Sequence, residues 1–430
     1  MSLRSDEQEL ICRVSGDAPA GAMMRRYWLP ALLSDEVAER DGTPVRIRLL
    51  GRNYVAFRDS AGRVGVLDEV CPHRLASLAL GRNEEGGLRC IYHGWKFGVD
   101  GACLEMPTEP EGSSYKDRMR ARAYAVREAG GFVWAYLGPP ECEPAFPAYD
   151  WTAQPREQIA ILKFLENANY LQMLEGAIDS AHTRFLHRGL GVGREEAVRN
   201  ALSLDLAPRL EAADTTYGFR YNATRKPNVD ADRLKYVKIT RYVFPTTAVT
   251  AGPLSEGFPA LTQIFVPVDD EHTMHYSIWH SLDGTALDEP AMRRRWKIEP
   301  GVDLDRWWRP LRNADNWWEQ DRAAMRNGSY TGIVGAVIQD AAVQESMGAI
   351  TDHARERLGS SDVAIIRLRR RMRESVRRFL AGEPPIGLEA PIAYDRLTHV
   401  PQGAVPIEAP WQDLETYPGE YPADRAVPVG

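Results

Sequence analysis

The sequence has no segment that would place the protein in a membrane or export it. No apolar run approaches the ~20 residues that span a bilayer, and the opening MSLRSDEQEL lacks the apolar stretch of a signal peptide. The net charge is −7 and there is no basic tail, which argues against nucleic acid as a partner. We therefore expect a soluble cytoplasmic protein that binds neither a membrane nor nucleic acid.

Cysteines and nucleotide-binding glycines are also scarce. The 430 residues include five cysteines, and three of them, Cys12, Cys103 and Cys142, show no local sign of a nucleophile. In a protein without an export signal we interpret these three as reduced structural thiols. The segment GVDGACLE lacks the G-x-G-x-x-G spacing that follows a strand in dinucleotide-binding folds, so a nicotinamide cofactor is not expected on this chain.

The character of the chain changes near residue 150, and this predicts two domains. Residues 40–138 alternate short β-rich runs with turns, and residues 138–151 (GPPECEPAFPAYDW) are rich in proline, as boundaries often are. We predict a domain over residues 1–150, all-β with an N-terminal extension, and a second over residues 151–430.

The second domain mixes helices with long strands. Residues 157–187 are predicted to be helical, and amphipathic helices recur near the C-terminus, one of them ending at Gly382. Strand-like runs lie between these helical regions, at residues 216–226, 234–252 and 261–282. The pattern predicts an α+β domain, in which an antiparallel sheet is covered by helices.

Two pairs of metal-binding side chains stand within the β-rich region. They are Cys71-x-His73 and Cys90-x2-His93, and each pair combines one thiolate with one imidazole. Zinc fingers usually group two cysteines in one pair and two histidines in the other. A Cys-His pair followed by a second Cys-His pair is typical of a Rieske [2Fe–2S] centre, in which two cysteines hold one iron and two histidines the other. The alternative is a closed zinc site.

A second group of ligand-type residues lies further along, at Asp179-x2-His182-x4-His187. Non-heme iron enzymes commonly bind their metal through two histidines and one carboxylate, with the other positions open. Asp179 and His182 share a face if this segment is a helix, and His187 then requires the helix to bend or end, with Gly189 as a possible terminator. The alternative is a coincidental pair of surface histidines.

Three more histidines, His272, His275 and His280, alternate along a predicted strand without a metal-binding spacing. We interpret them as ordinary strand residues with satisfied hydrogen bonds, although His280 could line a pocket.

The two motifs together resemble those of a known family. CPHR and CIYHGWKF are similar to the Rieske motif of the ring-hydroxylating and O-demethylating non-heme iron oxygenases, and NYLQMLEGAIDSAHTRFLH resembles their mononuclear iron motif. The opening GDAPAGAMMRRYWLPALLSDEV and the chain length resemble the phthalate dioxygenase-like branch. The resemblance implies a Rieske [2Fe–2S] cluster at Cys71, His73, Cys90 and His93, a mononuclear Fe(II) at His182 and His187, and O2 as co-substrate.

The resemblance also implies roles for several acidic residues. The third iron ligand should come from a late helix, where Asp340 is the best match and Glu345 and Asp352 are rivals. In the family the residue matching Asp179 is not a ligand. It links an iron-ligand histidine to a cluster histidine, here His182 to His93, between subunits of a head-to-tail trimer or a dimer of trimers. Glu175 is expected to tune this link.

The expected substrate is a small aromatic acid, for example a phthalate, benzoate, phenoxybenzoate, aryl-acetate or indole-acetate. Such a carboxylate needs a cation, and arginine suits it because its planar fork matches the carboxylate. The candidates on the sheet and its approach are Arg199, Arg209, Arg220, Lys238 and Arg241. The arginine run from Arg367 to Arg378 is interpreted as a solvated helix face, with docking of an acidic reductase as the second reading.

These observations predict the terminal oxygenase of a two-component system that hydroxylates or dihydroxylates an aromatic acid. Electrons should come from NAD(P)H through a separate reductase of the flavin and ferredoxin type. One alternative is monooxygenation or O-demethylation of an aryl ether. An alternative of another class is a Rieske electron carrier that has lost its mononuclear iron.

Overall fold

The computed structural model describes residues 4–188, 205–228, 230–250, 259–400 and 402–411. The chain forms two compact units, one of residues 14–146 and one of residues 1–13 together with 147–430. The helices of the described residues are α1 (Ser5–Cys12), α2 (Pro19–Met24), α3 (Tyr170–Ile178), α4 (Glu289–Trp296), α5 (Arg322–Arg326), α6 (Ala336–Ser346) and α7 (Val363–Leu380). Among these helices, none combines the length and the apolar character needed to cross a membrane.

The unit of residues 14–146 consists mainly of three small antiparallel sheets. Its strands are β1 (Trp28–Leu33), β2 (Val45–Leu49), β3 (Arg52–Arg58), β4 (Val64–Asp68), β5 (Arg82–Glu84), β6 (Gly87–Arg89), β7 (Lys96–Phe97), β8 (Cys103–Glu105), β9 (Ala125–Ala129) and β10 (Phe132–Tyr136). They pair in the orders β1-β10-β9, β2-β3-β4 and β5-β6-β7-β8. Cys71 follows β4, Cys90 follows β6, and both belong to one apolar cluster with Phe57, Leu67 and Phe97. The predicted all-β domain is confirmed.

The larger unit is built on one antiparallel sheet of eight strands. These are β11 (Ile159–Glu166), β12 (Arg209–Thr215), β13 (Gly218–Arg225), β14 (Leu234–Val243), β15 (Thr247–Thr250), β16 (Ala260–Pro267), β17 (Thr273–His280) and β18 (Gln402–Pro406). The order is β11-β17-β16-β15-β14-β13-β12, and β18 pairs with β14. The α+β prediction for this unit is therefore confirmed.

The two faces of this sheet have different neighbours. Successive side chains of a strand point to opposite faces, so alternate residues of β13 separate into two sets. Tyr221 donates to the carbonyl of Ile178 at 2.5 Å, which places its set toward α3, on what we call the helix face. The other side, the C-terminal face, carries Val237 and Ile239 of β14, which pack in one apolar cluster with residues of 392–411.

The structure corrects the prediction that residues 157–187 are helical. β11 occupies residues 159–166, and all eight of its residues are buried. A strand buried on both faces lacks the polar–apolar alternation by which strands are recognised, so its apolar run imitates a helix. α3 begins after Asn169, whose side chain accepts from Leu171 N at 3.0 Å, and it ends before Asp179.

Candidate metal centres

The two Cys-His pairs of the smaller unit lie on two similar tight turns. In residues 71–76 the amide of Cys71 donates to Ala76 O at 2.8 Å, and in residues 90–95 the amide of Cys90 donates to Trp95 O at 2.8 Å. Gly94 has φ +75°, a left-handed conformation that favours glycine and allows the second turn to close. Each turn therefore holds its cysteine and its histidine on the same short loop.

The four side chains on these turns fit a Rieske cluster. Cys71 and Cys90 are buried, whereas His73 and His93 are half-buried with ring centroids 4.5 Å apart. The Nδ1 atom of His93 is buried and makes no hydrogen bond, as expected of an atom reserved for a metal. Trp95 stacks on His73 at 4.4 Å and covers one side of that ring. Burial, together with the nearby Cys90, raises the pKa of the Cys71 thiol to about 11, so metal binding there must release a proton.

A second set of donor atoms converges in the larger unit. One ligand atom from each of His182, His187 and Asp340 lies within 4.8 Å of the other two. Asp340 Oδ1 is 3.2 Å from His187 Nε2 and 3.7 Å from His182 Nε2. Two imidazoles and one carboxylate on one side of a point form the donor set of non-heme iron oxygenases, so these residues fit Fe(II).

Both imidazoles of this set are oriented by a neighbour on the other ring nitrogen. Asp179 Oδ2 lies 3.4 Å from His182 Nδ1, as the resemblance implied. The second neighbour, Gln339, was not predicted from the sequence, and its Oε1 is 2.9 Å from His187 Nδ1. Gln339 Nε2 donates to Thr331 Oγ1 and Ile333 O, which fixes the amide with its oxygen toward the ring. In both histidines Nε2 is therefore the ring nitrogen that faces Asp340.

The local structure around Asp179 differs from the predicted helix. α3 ends at Ile178, Asp179 is extended (φ −83°, ψ 108°), and only one 3-10 turn follows, over His182–Arg184. Asp179 Oδ1 accepts from Ala181 N at 2.7 Å. Burial works against the charge of Asp179, but the hydrogen bond and charge of His182 outweigh it and hold the carboxyl pKa below its usual value. Asp179 meets His182 through this loop and not along a helix face.

The three carboxylates proposed as the third ligand lie in different environments. Asp340 joins the two histidines. Glu345 instead accepts hydrogen bonds from Trp318 Nε1 at 2.9 Å and from Asn167 N at 3.0 Å. Asp352 is exposed and accepts from Ala354 N.

Glu175 is held by an arginine. Arg369 of α7 donates Nε and Nη2 to the two carboxylate oxygens of Glu175, at 2.6 and 2.7 Å, and Nη1 to Glu356 at 2.6 Å. His353 Nδ1 lies 3.0 Å from Glu356. These contacts give Glu175 a structural role. Among the described residues it makes no hydrogen bond to Asp179 that would support the predicted tuning.

The predicted substrate cations that the structure describes are divided between the two faces of the sheet. Arg199 is outside the described residues. Strand register places Arg209, Arg220 and Arg241 on the C-terminal face, where Arg241 donates to Leu397 O at 2.6 Å and Arg220 lies over the ring of Trp411. Lys238 is paired with Ala223 of β13, which lies between Tyr221 and Arg225 on the helix face of the sheet.

The arginine run of α7 is not simply a solvated face. Arg369 and Arg371 are buried, and others bind Asp214, Glu7 and Glu389. The periodicity showed where the side chains project but not the acidic groups that other elements bring to them.

Two domain families match the chain. The Rieske [2Fe-2S] domain matches residues 27–118, and a family described as LigXa C-terminal domain like matches residues 135–427, more than half of the chain. With the fold and the two donor sets, this defines a Rieske non-heme iron oxygenase, and the chain belongs to that family.

Within the family the chain is similar to phthalate dioxygenases. It is 45% identical to the phthalate 4,5-dioxygenase oxygenase subunit of Pseudomonas putida, over 96% of this chain and 95% of that one. It is 36% identical to the 3-chlorobenzoate-3,4-dioxygenase oxygenase subunit of Comamonas testosteroni, over 90% and 92%. The terminal oxygenase of carbazole 1,9a-dioxygenase from Novosphingobium sp. KA1 shares the fold, with TM-score 0.57, 18% identity and coverage of 90% and 97%.

These comparisons confirm the predicted class. The chain is the terminal oxygenase subunit of a multi-component system, it is a Rieske-type oxygenase of the phthalate dioxygenase-like branch, and it depends on a [2Fe–2S] cluster, mononuclear iron and O2. An oxygenase subunit of this kind takes its electrons from a reductase partner. The comparisons favour an oxygenase over the alternative of a Rieske electron carrier.

Proposed function

We propose that the protein hydroxylates a small aromatic carboxylic acid, with dihydroxylation of the ring favoured. The observation that carries this proposal is the convergence of His182, His187 and Asp340 in a chain whose relatives are named for phthalate and chlorobenzoate. Both of those named compounds are aromatic acids.

The proposed ligands are those predicted from the motifs. Cys71, His73, Cys90 and His93 would hold the [2Fe–2S] cluster, and His182, His187 and Asp340 would hold Fe(II). When bound, the two centres supply one-electron transfer and O2 activation. The residues around them orient the donor atoms, Asp179 for His182 and Gln339 for His187, so that little rearrangement is needed when the metal binds.

Asp179 is proposed to connect subunits. Its carboxylate is proposed to link His182 to His93 of a neighbouring copy, in a closed ring of three subunits or two such rings. A head-to-tail arrangement closes into a ring when the rotation between copies allows it. The proposed electron donor is a separate reductase of the flavin and ferredoxin type.

For the substrate carboxylate we propose Lys238 and a residue that the sequence did not single out, Arg225. Arg225 is only 7% exposed, and its Nη2 donates to Ser180 O at 2.6 Å, two residues before His182. Among the described residues no carboxylate forms an ion pair with it, and its Nε makes no hydrogen bond. A buried charge is costly unless it is paired, so a substrate carboxylate would complete this site. Arg209, Arg220 and Arg241 lie on the C-terminal face, on the opposite side of the sheet from Arg225.

Product analysis with a reconstituted reductase tests the reaction. We expect aromatic acids to be turned over and their neutral amides to be poor substrates, with both atoms of ¹⁸O2 found in the product. Incorporation of a single atom, or loss of a methyl group from an aryl ether, would favour the monooxygenase or O-demethylase alternative. Equal turnover of acids and amides would overturn the proposed substrate class.

Variants of the two cations test how the acid is bound. Arg225→Gln or Lys238→Met should raise KM about ten- to a hundredfold, since a charge-assisted hydrogen bond contributes roughly 1.5–3 kcal/mol. Arg209→Ala is the matched control, because Arg209 pairs with Glu211 on the other face of the sheet. An unchanged KM in both variants would remove these residues from the substrate site.

A further inference from the structure

The mononuclear site is assembled from two distant parts of the chain. His182 and His187 follow α3, whereas Asp340 belongs to α6. The three donor atoms therefore converge only if α3 and α6 keep a fixed separation and alignment. Metal and catalytic sites require such precision from the residues that support the ligands.

Gln172 of α3 forms hydrogen bonds with the C-terminal end of α6 and the residues that follow it. Its Nε2 donates to Gln344 O at 3.0 Å and to Gly348 O at 2.9 Å, and its Oε1 accepts from the amide and the hydroxyl of Thr351, both at 3.0 Å. Gln172 is buried, so these bonds replace water and each unmade one would be costly. They hold the last turn of α6 against the first turn of α3.

Gly176 lets the two helices come close. A Cβ atom at this position would lie 2.0 Å from the terminal amide nitrogen position of Gln344, far inside van der Waals contact. Glycine within a helix costs about 1 kcal/mol relative to alanine, so helix propensity gives no reason for it here. The contact with Gln344 supplies a packing reason.

The Gln344 amide has a second set of partners. Turned so that both polar atoms are satisfied, its nitrogen donates to the carbonyl of Asp340 and to Glu166 Oε2, both at 3.3 Å. Gln344 thus touches the residue that carries the third ligand and a strand of the sheet at the same time. Both Gln344 and Glu166 are buried.

The bonds continue from Glu166 into the sheet. Glu166 Oε1 is 3.0 Å from His275 Nδ1, and His275 Nε2 is 3.1 Å from Gln263 Oε1. Burial raises the pKa of Glu166 well above its usual value and lowers that of His275 to about 3. In its protonated form Glu166 donates to His275 Nδ1, and His275 Nε2 then donates to Gln263. The hydrogen bonds of His275 are satisfied, as the sequence suggested. They belong to a series of hydrogen bonds that continues through Glu166 to Gln344 of α6.

We propose that Gln344 is a positioning residue for the mononuclear site, wedged against Gly176 and bonded to Asp340 O and Glu166, and that this wedge sets the distance of Asp340 from His182 and His187. The inference rests on the proposed ligand set. Gln344 itself contacts neither metal nor substrate; it acts through the backbone of Asp340.

Substitution of Gly176 gives a sharp test. Gly176→Ala should favour the helix by propensity, yet its methyl group would displace Gln344. Mutation of residues that support metal ligands typically lowers metal affinity about 10–100-fold, and we expect a loss of that size here. The measurement is a titration of Fe(II) or Co(II) into protein whose mononuclear site has been emptied and whose Rieske cluster is intact. The Rieske spectrum should be unchanged, and the unfolding midpoint of the metal-free protein should change little, because the gain in helix propensity offsets the hydrogen bonds that Gln344 loses. Gly403→Ala is the matched control, because a Cβ there meets nothing within 4 Å.

A double-mutant comparison separates the wedge from a general disturbance of α3. Gln344→Ala should weaken metal binding, and adding Gly176→Ala to it should cost little more, because the clashing side chain is gone. Interacting residues show this non-additivity. Additive losses, or wild-type affinity in Gly176→Ala, would overturn the proposal.

Asp340→Ala distinguishes failure of the wedge from failure of the proposed ligands. If Asp340→Ala abolishes binding while Gly176→Ala does not weaken it, only the wedge is refuted. If Asp340→Ala binds metal as the wild type does, the proposed ligand set fails, and the wedge fails with it.

Discussion

Among single residues, Asp340 and Glu345 differ most informatively, because they share α6 but have different partners. Asp340→Ala should lose mononuclear iron and turnover while keeping the Rieske spectrum, since it removes one of three converging donors. Glu345→Ala should keep the iron and lose roughly 1–3 kcal/mol of stability, since Trp318 Nε1 and Asn167 N lose their acceptor. Iron analysis and chemical denaturation of both variants check this. Iron loss confined to Glu345→Ala would exchange the two roles.

The cluster histidines offer a second residue-level test. His73→Cys or His93→Cys should lower the reduction potential, because a thiolate adds negative charge where a neutral imidazole stood. Redox titration of the visible spectrum measures the shift. If both variants kept the wild-type potential and spectrum, these histidines would not be ligands.

At this scale the sequence predicted the residues whose spacing is part of a motif. It placed Asp340 beside His182 and His187 because a helix carboxylate resembles the family pattern. It could not find Gln339, Gln344 or Arg225, because their contacts with the site arise only when distant elements pack. Gly176 is unusual in the sequence because it is a glycine within a predicted helix, but the side chain that explains it, Gln344, belongs to α6.

Among the elements, α7 depends on a buried ion pair. Arg369→Met should lower the free energy of unfolding by about 3–5 kcal/mol at neutral pH, the usual cost of removing one partner of such a pair. Burial alone would raise the pKa of Glu356, but His353 and Arg369 lower it to about 2. A carboxyl whose pKa is lowered by folding stabilises the folded state at any pH above its pKa in the unfolded chain, about 4.3 for Glu. That stability is lost as the pH falls from there toward 2.

Unfolding curves of wild type and Arg369→Met between pH 7 and pH 2 measure both effects. The difference between the two proteins should shrink as the pH falls through this window.

Glu175→Gln is the companion variant. A loss of stability with normal cluster oxidation would assign Glu175 to the ion pair, whereas normal stability with slow oxidation would restore its predicted tuning role.

Prediction of the elements succeeded where polar and apolar residues alternate or where turns are marked by glycine. β13, β14 and β17 lie within the predicted strand-like runs, β16 begins one residue before its run, and Gly382 (φ +77°) follows α7 as expected. β11 was missed because both its faces are buried. The tryptophan-rich stretch before α5 is not a regular helix, because Trp317 and Trp318 have positive φ, and α5 begins only at Arg322.

For the whole assembly, Asp179 carries the decisive prediction. Asp179→Asn keeps the size of the side chain but loses the charge that strengthens its hydrogen bonds to imidazole. Mononuclear iron and reduction of the cluster by the reductase should remain nearly normal. In a single turnover with substrate and O2, oxidation of the reduced cluster should become far slower than in wild type. Loss of iron, with fast oxidation in the sites still occupied, would make Asp179 a ligand or a structural residue.

The alternation of the central sheet also bears on how such an enzyme changes through evolution. In β13, Tyr221 and Arg225 point toward the metal-binding segment, while Asn222 and Thr224, between them, point away. A slip of one residue in strand pairing moves every side chain to the opposite face. An insertion or deletion in the turn between β12 and β13 would therefore exchange a whole set of side chains in one event. Point mutations would exchange the same side chains one at a time, through intermediates in which a cation or an aromatic ring lies on the wrong face of the sheet.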